Sequence, residues 1–296
     1  MKKIRLFVIA GVILGTLSLP GWAAPVPVEV TVQTITGHRD RFDMPGVDAE
    51  QSYILIDVTK VDLNEDGIGD INPVAILLLF TGGRGKLEVK DSQLDIETQN
   101  FLVRSRNHFA AEGFVVGVID AASDFLDLPG GLSGHRAPGK PHSGEHLTDI
   151  EAVMADLRGK FPNLPLWAAG TSQGTISSAR AAAEPHPASR ANGLVLTAPL
   201  TGPAGGGDLG DVALESIAAP TLVATHREDK CPLTLAEDAA ALKKRLTASS
   251  RVQVLFFKGG STPLTDPCDP LAPHGFFGIE QKVIDAVTKW IKHAEK

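Results

Sequence analysis

Leu164-Pro165-Leu166-Trp167-Ala168-Ala169-Gly170-Thr171-Ser172-Gln173-Gly174-Thr175-Ile176 reads as three pieces in succession. An apolar run enters as a short buried strand. Gly170 to Gly174 makes a five-residue turn of the pattern Gly-x-Ser-x-Gly. Thr175 then opens an Ala-rich stretch, to Glu184, of helical character. A serine hydroxyl is a weak nucleophile until a base removes its proton, and it must stand clear of its own backbone to reach a carbonyl. A sharp strand-to-helix turn lifts Ser172 to the top of the sheet and aims the positive end of the helix at it. The turn is crowded, so the neighbours two before and two after must be small, and they are Gly170 and Gly174. The five-residue pattern alone also fits a glycine-rich loop holding an ordinary serine. The strand before it and the helix after it favour the nucleophile.

Working outward, apolar runs recur with helical segments between them. Val28–Thr36 and Tyr53–Val58 read as strands, the first alternating at Val28, Val30 and Val32. Val74–Phe80 is continuously apolar, as a strand buried on both faces is. Phe114–Ile119, Gly193–Thr197, Pro220–His226 and Val252–Phe257 supply further strands. Helices are predicted over Ser92–Ala111 and His146–Arg158. Two more follow from the apolar spacings Leu235, Ala239, Leu242, Leu246 and Ile279, Val283, Ile284, Val287, Trp290, Ile291. This alternation, without repeats or a second core, predicts one α/β domain with a mostly parallel sheet. Ala198–Ala219, where many such enzymes carry a helical cap, is short and glycine-rich. Little or no cap domain is expected, and a fairly open site.

The N-terminus reads as a targeting segment. Lys2, Lys3 and Arg5 precede the uncharged run Leu6–Leu19, Pro20-Gly21 breaks it, and Gly21-Trp22-Ala23 offers small residues for a signal peptidase. Residues 1–23 are therefore expected to be a signal peptide and 24–296 the mature domain, periplasmic or secreted. An uncleaved anchor is the alternative, which the shortness of the run disfavours. The net charge is −7, and the leader carries three positive charges, so the mature chain stands at −10. That balance argues against nucleic acid and against anionic membrane surfaces. Cys231 and Cys268 are the two cysteines, and an exported chain favours a disulfide over two buried thiols.

Several stretches carry competing readings. Asp62-Leu63-Asn64-Glu65-Asp66-Gly67-Ile68-Gly69-Asp70 begins like a calcium loop, but Pro73 stands where a bidentate Glu belongs. A solvated hairpin turn is the rival reading. Thr81-Gly82-Gly83-Arg84-Gly85 follows a central strand, where exposed N–H groups could form half of an oxyanion hole or simply a strand-to-helix turn. Asp120–Pro141 is a long Gly- and Pro-rich loop with His135, Arg136 and then His142. These histidines are expected at the surface or a pocket rim. His226, ending a strand, is expected to pack or hydrogen-bond rather than react.

Ser172, Asp229 and His274 each follow a predicted strand at its carboxyl end, where open α/β sheets build their sites. They occur in the order Ser, acid, His. With Gly170-Thr171-Ser172-Gln173-Gly174, Thr81-Gly82-Gly83, His226-Arg227-Glu228-Asp229 and His274-Gly275-Phe276, the chain from about Val28 to its end resembles the α/β-hydrolase superfamily, in its serine esterase and lipase-like branch. The resemblance implies the α/β-hydrolase fold, with Ser172 as nucleophile, His274 as general base and Asp229 orienting it. Glu228 and Asp269 are lesser rivals for the acid. The oxyanion would take N–H bonds from Gln173 and from Gly83, or Gly82 if the register slips. Thr81 departs from the pattern, since a His often stands there. A Cys231–Cys268 bridge would tie the acid loop to the histidine loop. The expected activity is hydrolysis of a small-molecule carboxylic ester, without metal or organic cofactor. A peptidase or acyltransferase on the same triad, or a non-catalytic binding protein of this fold, are the alternatives. Acyl preference and oligomeric state stay open.

Overall fold

A computed structural model describes residues 12–17, 26–62, 69–87, 99–202 and 206–295. Nine strands form one sheet: β1 Val12–Leu17, β2 Val26–Ile35, β3 Gln51–Asp57, β4 Ala75–Phe80, β5 Phe114–Ile119, β6 Leu166–Ser172, β7 Gly193–Pro199, β8 Thr221–His226 and β9 Val252–Phe257. Their order across the sheet is β1-β2-β3-β5-β4-β6-β7-β8-β9. The first pairings, through β3 with β5, are antiparallel, and all those from β5 to β9 are parallel. β1 falls inside the predicted leader. The other eight strands lie within 24–296.

The helices are α1 Phe101–Arg104, α2 Arg106–Ala111, α3 Ser123–Leu126, α4 Ser143–Lys160, α5 Gly174–Ala183, α6 Ala239–Arg245 and α7 Glu280–Ala294. They flank the sheet, α4 against α5 and α2 against α7. Every residue of β4 and β5 is buried, as their unbroken apolar runs require of central parallel strands. On α4 the stripe Ile150, Val153, Met154 and Leu157 is buried, while Ala155 and Gly159 on the other side are exposed. The predicted helix over Ser92–Ala111 is observed as α1 and α2 where it is described, and 92–98 lie outside the described residues. So do 63–68, the heart of the acidic loop. The Leu235–Leu246 helix begins with a 3-10 turn at Ala236–Asp238 before α6. The described part of Ala198–Ala219 makes two 3-10 turns, Leu209–Asp211 and Leu214–Ser216, and no helical cap.

The chain order places the site. From β4 the chain crosses to β5 on one side, then returns past β4 to β6 on the other. The carboxyl ends of β4 and β6 therefore flank a topological switch point, where loops diverge and leave a crevice. Thr81–Leu87 leaves one strand there and Ser172 ends the other.

Candidate active site

Ser172 sits in the left-handed region at φ 52°, between β6 and α5. A non-glycine residue there is strained and must be held by its surroundings. Thr175 does part of the holding: its hydroxyl donates to the Ser172 carbonyl at 2.5 Å and accepts from Leu200 N–H. Close packing does the rest. A Cβ on Gly174 would lie 2.3 Å from the Phe80 carbonyl oxygen, and one on Gly170 would lie 2.3 Å from the Gly174 carbonyl oxygen. The two small residues that the sequence pattern required are enforced by contact with β4 and with the turn itself.

His274 is carried on a 3-10 turn, Pro273–Gly275, which follows the long loop after β9. Phe276 fixes this turn from below, packed against Phe101 and Phe257. His274 Nδ1 lies 3.1 Å from Asp229 Oδ2, and the pair is buried, 5% and 6% exposed. Asp229 Oδ1 accepts from Cys231 N–H at 2.9 Å, and its Oδ2 accepts from the Thr234 hydroxyl at 2.9 Å. The same hydroxyl oxygen lies 3.0 Å from His274 Nδ1. The carboxylate is thus fixed at both oxygens, and the Nδ1 edge of the ring is committed to it. That leaves Nε2 as the nitrogen free for chemistry.

Ser172 and His274 line one cleft of about 330 Å³, together with Gly82, Gly83 and Asn100. Among the described residues no hydrogen bond joins the two side chains, and serine–histidine contacts in ligand-free enzymes are commonly long. Gly82 stands against Ser172: a Cβ there would lie 3.0 Å from Ser172 Cβ and from the Thr171 carbonyl oxygen. Gln173 caps α5 at its N-terminus, and its side-chain oxygen accepts from the Ser133 hydroxyl.

The rival acids are elsewhere engaged or exposed. Asp269 lines the cleft rim and is exposed, and Glu228 is exposed on the turn after β8. His226 is structural, with Nε2 donating to the Gly259 carbonyl and Nδ1 accepting from Glu228 N–H. His135 and His142 pack with Phe125 and Phe42 and do not line this cleft; both stay partly exposed to solvent. Cys231 and Cys268 form a disulfide that joins the acid loop to the histidine loop.

Sequence reasoning missed two contributors. Thr234 lies in an unremarkable turn five residues past Asp229, and no spacing marks it. Arg136 is buried beneath the Thr81–Gly83 turn, whereas Gly- and Pro-rich surroundings gave every appearance of a surface loop.

The architecture decides the fold. The chain has the α/β-hydrolase fold. A cold-adapted esterase from an Arctic intertidal metagenomic library superposes with a TM-score of 0.54 at 13% identity, covering 92% of this chain and 99% of that one. An S-formylglutathione hydrolase from Agrobacterium tumefaciens gives 0.54 at 13% identity over 96% and 100%. A thermostable carboxyl esterase from Bacillus coagulans gives 0.51 at 13% identity over 90% and 99%. At such identities the likeness is one of fold. No protein-family model matches the sequence, and no curated protein matches it either. Ser172 ends β6, the strand beside β4, and His274 lies in the segment after β9.

Proposed function

We propose that this α/β-hydrolase chain is an exported serine hydrolase that cleaves small carboxylic esters through an acyl-enzyme. The observation that carries the reading is the buried Asp229–His274 pair opening onto the cleft that holds a strained Ser172 at the turn from β6 into α5. Ser172 attacks the ester carbonyl while His274 Nε2 takes its proton. His274 then returns that proton to the departing alcohol. Water, deprotonated by the same nitrogen, releases the acid. Asp229 holds the ring in the tautomer with Nδ1–H and stabilises the imidazolium that forms. The oxyanion takes N–H bonds from Gln173 and from the Gly82–Gly83 turn, and each such donor contributes about 3 kcal/mol to the transition state. This chemistry needs no metal or organic cofactor.

Export rests on the leader, residues 1–23, and is supported by the disulfide. No helix of the described residues is long and apolar enough to cross a membrane.

Labelling with a fluorophosphonate, with the adduct mapped by mass spectrometry, tests the reading. A single adduct on Ser172, lost in Ser172→Ala and weakened in His274→Ala, supports it. Folded, oxidised protein that takes no label overturns it in favour of a binding protein. Turnover of short acyl esters over aminoacyl amides separates an esterase from a peptidase.

A further inference from the structure

Arg136 is a buried cation that the chemistry above leaves unused. It is 2% exposed, and among the described residues no carboxylate pairs with it. Its Nη1 donates to Ser177 Oγ at 2.7 Å. Its Nη2 donates to the Thr81 carbonyl at 3.1 Å and to the Gly83 carbonyl at 3.3 Å. Its Nε is buried without an acceptor. Burial pushes the guanidinium down to about 9, so it is still a cation at neutral pH. A buried charge without a counter-charge is costly to a fold, and this one sits directly behind the turn that faces Ser172.

We propose that Arg136 is a positioning residue of the oxyanion site: by holding the Thr81 and Gly83 carbonyls, it aims the N–H groups of Gly82 and Arg84 into the Ser172 cleft and polarises both peptides. The inference rests on the serine-hydrolase reading. Its geometry is that of the trans peptide, in which C=O and N–H of one unit point opposite ways, and no peptide here is cis. The Thr81 carbonyl turned toward Arg136 sends Gly82 N–H the other way, and the Gly83 carbonyl does the same for Arg84 N–H. Gly82, Gly83 and Arg84 line the cleft while Arg136 does not, so the other way is the cleft side. Gly82 is the member of the turn against Ser172, which makes its N–H the nearer donor.

Charge adds to direction. A cation bonded to a carbonyl draws density through the peptide and strengthens its N–H as a donor, and the dry interior screens the effect little. Arg136 is itself anchored from behind. Ser177 Oγ lies 2.9 Å from His146 Nε2, and burial with nearby cations, Arg136 first among them, keeps His146 neutral. Ser177 Oγ thus accepts from Arg136 while meeting His146 Nε2 on its other side.

The test uses a trifluoromethyl ketone labelled with 13C at the carbonyl, whose hemiketal with Ser172 carries a real oxyanion, alongside kcat and KM for a short acyl ester. Arg136→Met is expected to raise the hemiketal pKa and lower kcat by about 30-fold while KM changes by less than about threefold. Arg136→Lys keeps the charge but reaches one carbonyl at most, and is expected to recover part of both losses. A folded Arg136→Met with a wild-type hemiketal pKa, or one whose loss falls on KM, overturns the proposal. If Arg136→Met does not fold, Arg136→Lys decides: a raised hemiketal pKa and a kcat lowered about fivefold support it, and wild-type values overturn it. Wild-type protein that forms no hemiketal overturns the serine-hydrolase reading itself, and the Arg136 role with it.

Discussion

Thr234 and Asp229 hold His274 between them: the Thr234 hydroxyl donates to Asp229 Oδ2 at 2.9 Å, and its oxygen lies 3.0 Å from the same ring nitrogen that faces the carboxylate. The Nδ1–H of His274 is therefore shared between a charged and a neutral acceptor. Asp229→Asn presents an amide that can donate to Nδ1 and select the wrong tautomer, so kcat for short acyl esters should fall about 10⁴-fold. Thr234→Val keeps the shape and removes the hydroxyl. Its kcat should fall about tenfold, the scale of one ordinary hydrogen bond, with little change in KM. Steady-state kinetics on both variants checks the ranking, and a Thr234→Val loss as large as that of Asp229→Asn contradicts it.

The disulfide spans a sequence separation of 37 residues and joins two site loops. Cys231 N–H donates to Asp229 Oδ1, and Cys268 lines the cleft six residues before His274. Replacing both cysteines by Ser should lower stability by about 3–4 kcal/mol in the chain-entropy picture. It should also lower kcat, because acid and base loops lose their common tether. Urea unfolding with kinetics under oxidising and reducing conditions measures both.

Arg39 joins the loop after β2 to α3 and α4. It donates to Asp124 and to Asp149, whose side chains are 0% and 1% exposed. His38 Nε2 also meets Asp149. Arg39→Met leaves two buried carboxylates without their shared cation, and should cost about 3–5 kcal/mol by denaturant unfolding. A loss below 1 kcal/mol would show that water reaches these carboxylates once the arginine is gone.

His146 sets a pH dependence of stability. Burial, then the charges of Arg136, Arg180 and Arg39, holds its pKa well below 6.5. The unfolded chain therefore binds a proton near pH 6.5 that the native state refuses. Stability on this account is flat above about 6.5 and falls as pH drops below it, by about 1.4 kcal/mol per unit. His146→Gln should flatten the urea midpoint between pH 5 and 6.5 relative to wild type. An unchanged slope assigns the dependence to other groups.

How much of this was legible beforehand follows from what each feature depends on. The mostly parallel sheet was open to inference because buried parallel strands read as unbroken apolar runs, as Val115, Val116 and Val118 in β5 do, whereas the order of the strands across it was not. Gly170 and Gly174 announced a crowded turn. The order Ser172, Asp229, His274 along the chain, each after a strand, pointed to one end of one sheet. The contact of Asp229 with His274 was expected, but the third member at that corner, Thr234, was invisible, since a threonine in a turn carries no periodicity.

Sequence by itself determined what local chemistry controls: the alternation of strands and helices, the strained serine elbow, the charge balance, and the two cysteines as a pair. The tertiary structure alone decided what depends on packing between distant segments. It placed Arg136, from a loop that looks exposed, under the Thr81–Gly83 turn, and turned His135 and His142 to Phe125 and Phe42 away from the cleft. Burial of a polar group is set by which surfaces meet, and one-dimensional pattern holds no record of which loop closes over which strand.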